Sequence, residues 1–289
     1  MTRASLYDRV AEETASIVIR RYSTSFGLAS RLLEPTVRQH VENIYALVRI
    51  ADEIVDGEAT GAGLDTIEAA RQLNELEVET GFAIDKGYSS NLVVHAFALT
   101  ARETGFSQAL TEPFFESMRT DLSQTEHTRA SFDRYVYGSA EVVGLMCLRA
   151  FLQGGTYSEA ELERFEAGAQ ALGAAFQKVN FLRDLSADFQ GLGRSYFPGI
   201  SVAGFTDVDK NRLLDDIDDD LRMSAAVIRD LPSGSRRAVA LAHDLFAELS
   251  RRLRATPASR LVTSRVRVPN PVKLRIAAKA TLSSRSSRR

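Results

Sequence analysis

Two pairs of aspartates stand four residues apart in stretches that are otherwise largely apolar: Asp52 with Asp56, and Asp184 with Asp188. Four residues is just over one helical turn, so each pair stacks on one helix face. Tyr45 and Arg49 continue the first stripe upstream, and Gln177 and Asn180 continue the second. Like charges at this spacing repel one another. If four such carboxylates converge, ionisation is costly without a compensating cation. Mg2+ suits the pattern, because it prefers a few carboxylates, water and substrate phosphates over a full protein cage. The chemistry indicated is a diphosphate held through Mg2+.

Spacing alone proves little. With 18 Asp in 289 residues, chance alone supplies about one Asp-x-x-x-Asp pair. The chain holds two more, Asp215/Asp219 and Asp216/Asp220, inside the run Asp215 to Asp220. That run is expected to be a solvated helix face. The pairs at 52/56 and 184/188 differ in having an amide or guanidinium neighbour on their own stripe.

Other chemistries find little support. Cys147 is the only cysteine, so neither an intramolecular disulfide nor a cysteine zinc site can form. His40, His95, His127 and His243 are scattered and are expected to be structural or superficial. Met1 to Val10 lacks the apolar core of a signal peptide, and no stretch approaches 18 consecutive apolar residues. A reducing, cytoplasmic setting is the expectation.

The elements that must position these stripes are helices. Val37, Val41, Ile44, Val48 and Val55 recur at the period of one helix face, and so do Phe165, Ala169, Leu172, Phe176, Val179 and Leu182. The pattern predicts helices over 4–21, 36–56, 64–80, 90–104, 108–123, 131–153, 158–190, 207–230, 234–255 and 270–282. Pro35, Pro113, Pro198 and Pro232 are read as lying between them. The whole is a single all-α domain over 1–282, followed by a basic tail, 283–289, expected to be disordered. From Arg251 to Arg289 there are 12 Lys or Arg and no Asp or Glu, and the rest of the chain holds 24 basic and 38 acidic residues. A basic end of this kind suits anionic lipid head groups, or is simply a solvated tail and helix end.

Several segments, in order, resemble the squalene and phytoene synthase family. Arg49-Ile-Ala-Asp52-Glu53-Ile-Val-Asp56 looks like its first aspartate-rich motif, and Gln177-Lys-Val-Asn180-Phe-Leu-Arg183-Asp184-Leu-Ser-Ala-Asp188 like its second. Tyr22-Ser23-Thr24-Ser25-Phe26, Tyr137-Gly-Ser-Ala-Glu-Val-Val-Gly144 and Gly193-Arg194-Ser-Tyr196-Phe197-Pro198 match three further family segments. The matches run from about residue 20 to residue 200, with weaker similarity from Ser235 to Ala278.

The resemblance implies the isoprenoid (terpenoid) synthase fold with a central helix-lined cavity. It implies that Asp52, Asp56, Asn180, Asp184 and Asp188 bind two to three Mg2+ ions, with Mn2+ as an alternative. Arg49, Arg183 and Arg194 would neutralise diphosphate oxygens. Ser23 and Ser25 would donate to a diphosphate, though either could be only a helix cap. Gln177 belongs to the substrate stripe. Phe26, Tyr45, Tyr137 and Tyr196 would line the cavity, with Tyr137 counted among the catalytic groups beside Arg49 and the aspartates.

The implied reaction is phytoene synthesis, a head-to-head joining of two geranylgeranyl diphosphates through a cyclopropyl diphosphate, without NADPH. The alternatives are a C15 squalene or dehydrosqualene synthase using farnesyl diphosphate, a one-substrate cyclase, and a non-catalytic assembly-factor relative. The intact aspartates weigh against the last. The expected partners are prenyl diphosphates, with no nucleic acid. Peripheral contact with the inner face of the membrane is a further expectation, and oligomeric state is left open. Three departures from the family pattern concern Ala187, the loop Asp188–Arg194, and Phe246 where relatives often carry a tyrosine.

Overall fold

In the computed structural model, the structure describes residues 5–56, 58–192, 196–200 and 204–282, without the side chains of Glu58, Thr60, residues 187–192 and Leu282. The sequence reading of an all-α fold is borne out: no β-strand occurs among the described residues. The helices are α1 (Leu6–Tyr22), α2 (Ser25–Ser30), α3 (Pro35–Val55), α4 (Glu58–Gly61), α5 (Thr66–Lys86), α6 (Leu92–Thr104) and α7 (Gln108–Asp121) in the first part of the chain. There follow α8 (Arg129–Val136), a π-turn (Tyr137–Glu141), α9 (Val142–Leu152), α10 (Glu159–Leu192), α11 (Asp207–Ile228), α12 (Ser233–Ala255), α13 (Ala258–Leu261) and α14 (Asn270–Leu282).

Local signals start and stop many of these helices. Ser5, Asp65, Thr128 and Thr206 each close a capping box with the residue three positions on, satisfying amides that have no partner inside the helix. Gly87 and Gly105 end α5 and α6 in the left-handed conformation, at φ 81° and 78°. Pro35 sits at the first turn of α3, where its missing N–H costs nothing.

Two large cores result. One joins α1, α3, α5, α6, α7 and α9 around Ile44, Leu47, Leu73, Phe97, Phe114, Phe115 and Met146. The other joins α8 with α10 to α13 around Phe132, Leu182, Leu214, Ile217 and Leu253. The first stripe's helix, α3, thus belongs to one core and the second stripe's helix, α10, to the other. The rod formed by α8, the π-turn and α9 runs between them, with Phe132 and Val136 in the second core and Val142 and Met146 in the first.

That rod, Arg129–Leu152, is long and apolar enough by length and composition to cross a membrane, unlike what the search for unbroken apolar runs suggests. In the fold it is pressed against α7 and α10. A Cβ added to Gly138 would lie 2.1 Å from the Pro113 carbonyl oxygen, and one added to Gly173 would lie 2.5 Å from that of Ala140. Only glycine allows these backbones so close.

Two expectations need correction. Pro113 lies inside α7 rather than between helices. The acidic run of α11 is also more than a solvated face. Asp216 and Asp220 hold the buried Lys178 Nζ at 2.7 and 2.8 Å, and Asp215 and Asp218 hold Arg254 at 2.8 and 2.9 Å. The run ties α11 to α10 on one side and α12 on the other.

Candidate active site

The residues of the first stripe come together as their spacing requires. The Tyr45 hydroxyl lies beside Ser23, and burial pushes the phenol up. Ser23 Oγ accepts from the Phe26 amide at 3.1 Å, so it caps the short α2 and reaches the stripe at once. Arg49 donates to Glu53 and lies over the Tyr22 ring, 4.5 Å from its centre. Its Nε is buried without a hydrogen-bond partner. Ser25 is half-buried at the first residue of α2.

Asp52 is the most perturbed acid of the site. Burial, then the neighbouring Asp56 carboxylate, push it up to about 8 against the opposing pull of Arg49, and Asp121 and Glu53 add to the rise. Asp56 caps the end of α3.

The second stripe is held differently. Asp184 accepts from Arg183 Nε at 3.0 Å and from Arg183 Nη2. It also accepts from Arg265 Nη2 at 3.1 Å, and Arg265 Nε stands in the same ion pair at 2.6 Å. Two guanidiniums therefore meet on one carboxylate. Gln177 and Asn180 are half-buried on the same helix. The side chain of Asp188, and Arg194 altogether, lie outside the described residues.

Two chains of contacts link the stripes. At one end Tyr45 meets Ser23, and Phe26 meets Phe176 of α10 at 5.4 Å between ring centres. Phe176 stacks on Phe246 of α12 at 3.9 Å, so the residue standing where relatives often carry tyrosine completes an aromatic wall. At the other end Asp121, which bears electrostatically on Asp52, accepts from the Tyr135 hydroxyl at 2.9 and 2.7 Å and from Tyr196 at 3.2 Å. Tyr196 stacks on Phe181 of α10 at 3.9 Å. Stacked aromatic rings thus stand beside each stripe.

Tyr137 is placed elsewhere. It packs against the first core and, together with Tyr135, lines a pocket with Pro113, Glu116, Ser131 and Arg134 on the α7–α8 side. Tyr135, two residues earlier, is the one that reaches Asp121. Burial first, and then the Asp121 charge, push its phenol well above the usual range. Sequence reasoning misses Asp121, Tyr135 and Arg265. The one available signal was for Arg265, which lies in a stretch with no acidic residue and so needs a distant partner.

The donors fit Mg2+. Hard carboxylate oxygens dominate, Asp52 is raised by burial and by the Asp56 charge, and guanidiniums stand at Asp184 where a cation would bind. Among the described residues, no three acidic, His or Cys side chains are already gathered tightly enough to hold a metal ion.

The fold is all-α, with one acid stripe on α3, another on α10, and stacked aromatic rings beside them, an arrangement found in the isoprenoid synthase fold. Residues 19–271 match the family model for squalene/phytoene synthase; the chain belongs to that family and is a prenyltransferase-type enzyme. It is 28% identical over 256 residues to a phytoene synthase of Pseudescherichia vulneris, covering 82% of this chain and 80% of that one. It is 30% identical over 188 residues to a 15-cis-phytoene synthase of Paracoccus sp. (strain N81106 / MBIC 01143), covering 64% of this chain and 59% of that one. Among solved structures, a dehydrosqualene synthase superposes with a TM-score of 0.76 at 21% identity, over 96% of this chain and 98% of the other. At that identity the likeness speaks for the fold alone.

Proposed function

We propose that this protein condenses two geranylgeranyl diphosphates head to head, through a cyclopropyl diphosphate, to phytoene. The observation that carries the reading is the presence of two acid stripes with arginines at their edges and stacked aromatic rings beside them. The phytoene synthases among its relatives support the C20 substrate.

Asp52, Asp56, Asn180 and Asp184, with Asp188, would hold Mg2+. When bound, Mg2+ supplies Lewis-acid assistance to the departure of diphosphate. The chain's own groups do the rest. Arg49, Arg183 and Arg265 take up diphosphate charge as it develops. Phe26, Phe176 and Phe246 on one side, and Phe181 and Tyr196 on the other, exclude water from the allylic cation and offer it ring faces. Tyr135 keeps its proton, because burial and the Asp121 charge disfavour its phenolate. It orders Asp121 rather than acting as a base, which leaves the released diphosphate to accept the protons lost. The chain's setting on this reading is the cytoplasm, with the basic stretch Arg260–Lys279 against the inner face of the membrane.

The test is to incubate the purified protein and Mg2+ with geranylgeranyl or farnesyl diphosphate, with and without NADPH. Phytoene formed from the C20 substrate, indifferent to NADPH, is the expected result. Consumption of the C15 substrate alone would overturn the phytoene assignment and leave the fold and metal reading standing. Binding of liposomes containing anionic lipid that weakens with salt, and is lost on charge reversal in Arg260–Lys279, is expected. No binding at low salt would remove the membrane contact.

A further inference from the structure

One helix carries apolar residues on both faces. α5 buries Ala69, Leu73, Leu76, Ala83 and Ile84 in the first core. Its opposite face bears Ile67, Val78 and Phe82, which are 80%, 72% and 57% exposed. With Ala70, Arg71, Asn74, Glu75 and Glu79 they line one continuous shallow groove. The steps 67, 71, 74/75, 78 and 82 follow one helical face over four turns. Scattered exposed apolar residues need no explanation, whereas an aligned stripe does.

We propose that this stripe is a homodimer interface, in which α5 pairs antiparallel with α5 of a second copy about a two-fold axis between Asn74 and Glu75. The charges favour that occupant. With the axis there, Ile67 faces the partner's Phe82, and Arg71 falls between the partner's Glu75 and the partner's Glu79. Two-fold symmetry forms each contact twice. Within one copy Arg71 reaches only Glu75, at 3.9 Å, with both side chains about two-thirds exposed. Glu79 accepts from Ser89 Oγ at 2.5 Å, which fixes its place on the face. Residues 65–86 hold six acidic and two basic groups, which opposes an anionic lipid surface along the whole helix and opposes self-pairing except in the register that brings each Arg71 to the glutamates of the other copy. At 21 residues the helix is about 31 Å long. A single helix pair of that length belongs at the small end of specific interfaces, so a dimer of micromolar strength is expected.

Sedimentation velocity and light scattering on the full chain, from about 1 to about 100 µM, would read the mass directly. The expected result is a concentration-dependent shift from one copy to two. Val78→Asp and Phe82→Asp, both at exposed positions, should weaken it by roughly 100-fold with unchanged circular dichroism. Arg71→Glu and Glu75→Arg chains should each be monomeric alone and should pair when mixed, because only the mixed dimer restores opposite charges at both copies of the contact. A one-copy mass throughout overturns the proposal. So does a dimer that survives both apolar substitutions, or a monomer that binds vesicles through this face.

Discussion

The two aspartate stripes share a spacing but differ in how their charge is managed. Asp52, on α3, is pushed up to about 8 by burial and by Asp56, with Arg49 turned to Glu53 instead. Asp184, on α10, is covered by the guanidiniums of Arg183 and Arg265. The first stripe is half-buried, and its guanidinium, Arg49, is paired to Glu53. The second is already neutralised, by groups that must shift if they are to serve a diphosphate. A cation therefore competes chiefly with a proton at the first stripe and with guanidiniums at the second.

The largest effect should follow removal of either acid. Asp52→Ala and Asp184→Ala should each lower turnover by roughly 10³-fold or more, while circular dichroism shows both still folded. Equal residual activity in wild type and variants would break the claim that both stripes act in one reaction. Arg265→Gln should come next. Losing one charge-assisted contact costs roughly 10- to 100-fold, and the variant should also bind inorganic diphosphate more weakly in the presence of Mg2+. An effect confined to stability would leave Arg265 a mere tether.

Tyr135→Phe should lower turnover by about 10-fold through the loss of one donor to Asp121. Tyr137→Phe should change it less, because Tyr135 is the tyrosine whose hydroxyl holds Asp121. The reverse order would restore the assignment that the sequence suggests.

The smallest effect concerns pH and the metal-free protein. Burial and the Asp56 charge push the folded carboxyl of Asp52 up to about 8 from its ordinary 3.8. A raised folded value gives stability that is present below the ordinary carboxylate range and is lost as pH rises to about 8. Wild type should therefore lose thermal stability relative to Asp52→Asn between about pH 4 and about pH 8 when chelator is present. Mg2+ should reduce the difference. A gap independent of pH would contradict the half-buried, proton-holding Asp52.

Much of the fold was legible because ten long helices carry a 3.6-residue apolar period. Helices α2, α4 and α13 were not, being four to six residues long and too short for a period. The stripes were legible for the same reason as the helices, since neighbours at three and four residues share a face. What lay beyond local spacing was not. Tyr135 and Tyr137 differ by about 200° around a helix, and nothing local says which faces Asp121. Asp121 is a single acid at the end of α7. Arg265 meets Asp184 across 81 residues of chain. The run Asp215 to Asp220 read as solvated because its partners, Lys178 and Arg254, sit on other helices.

The central claim is that both stripes hold metal for one diphosphate site. Mn2+ binding, read by electron paramagnetic resonance in the presence of inorganic diphosphate, tests it most directly. The account predicts that wild type takes up Mn2+ together with diphosphate, and that Asp52→Asn and Asp184→Asn each sharply weaken that joint uptake. Undiminished uptake in either folded variant would contradict it.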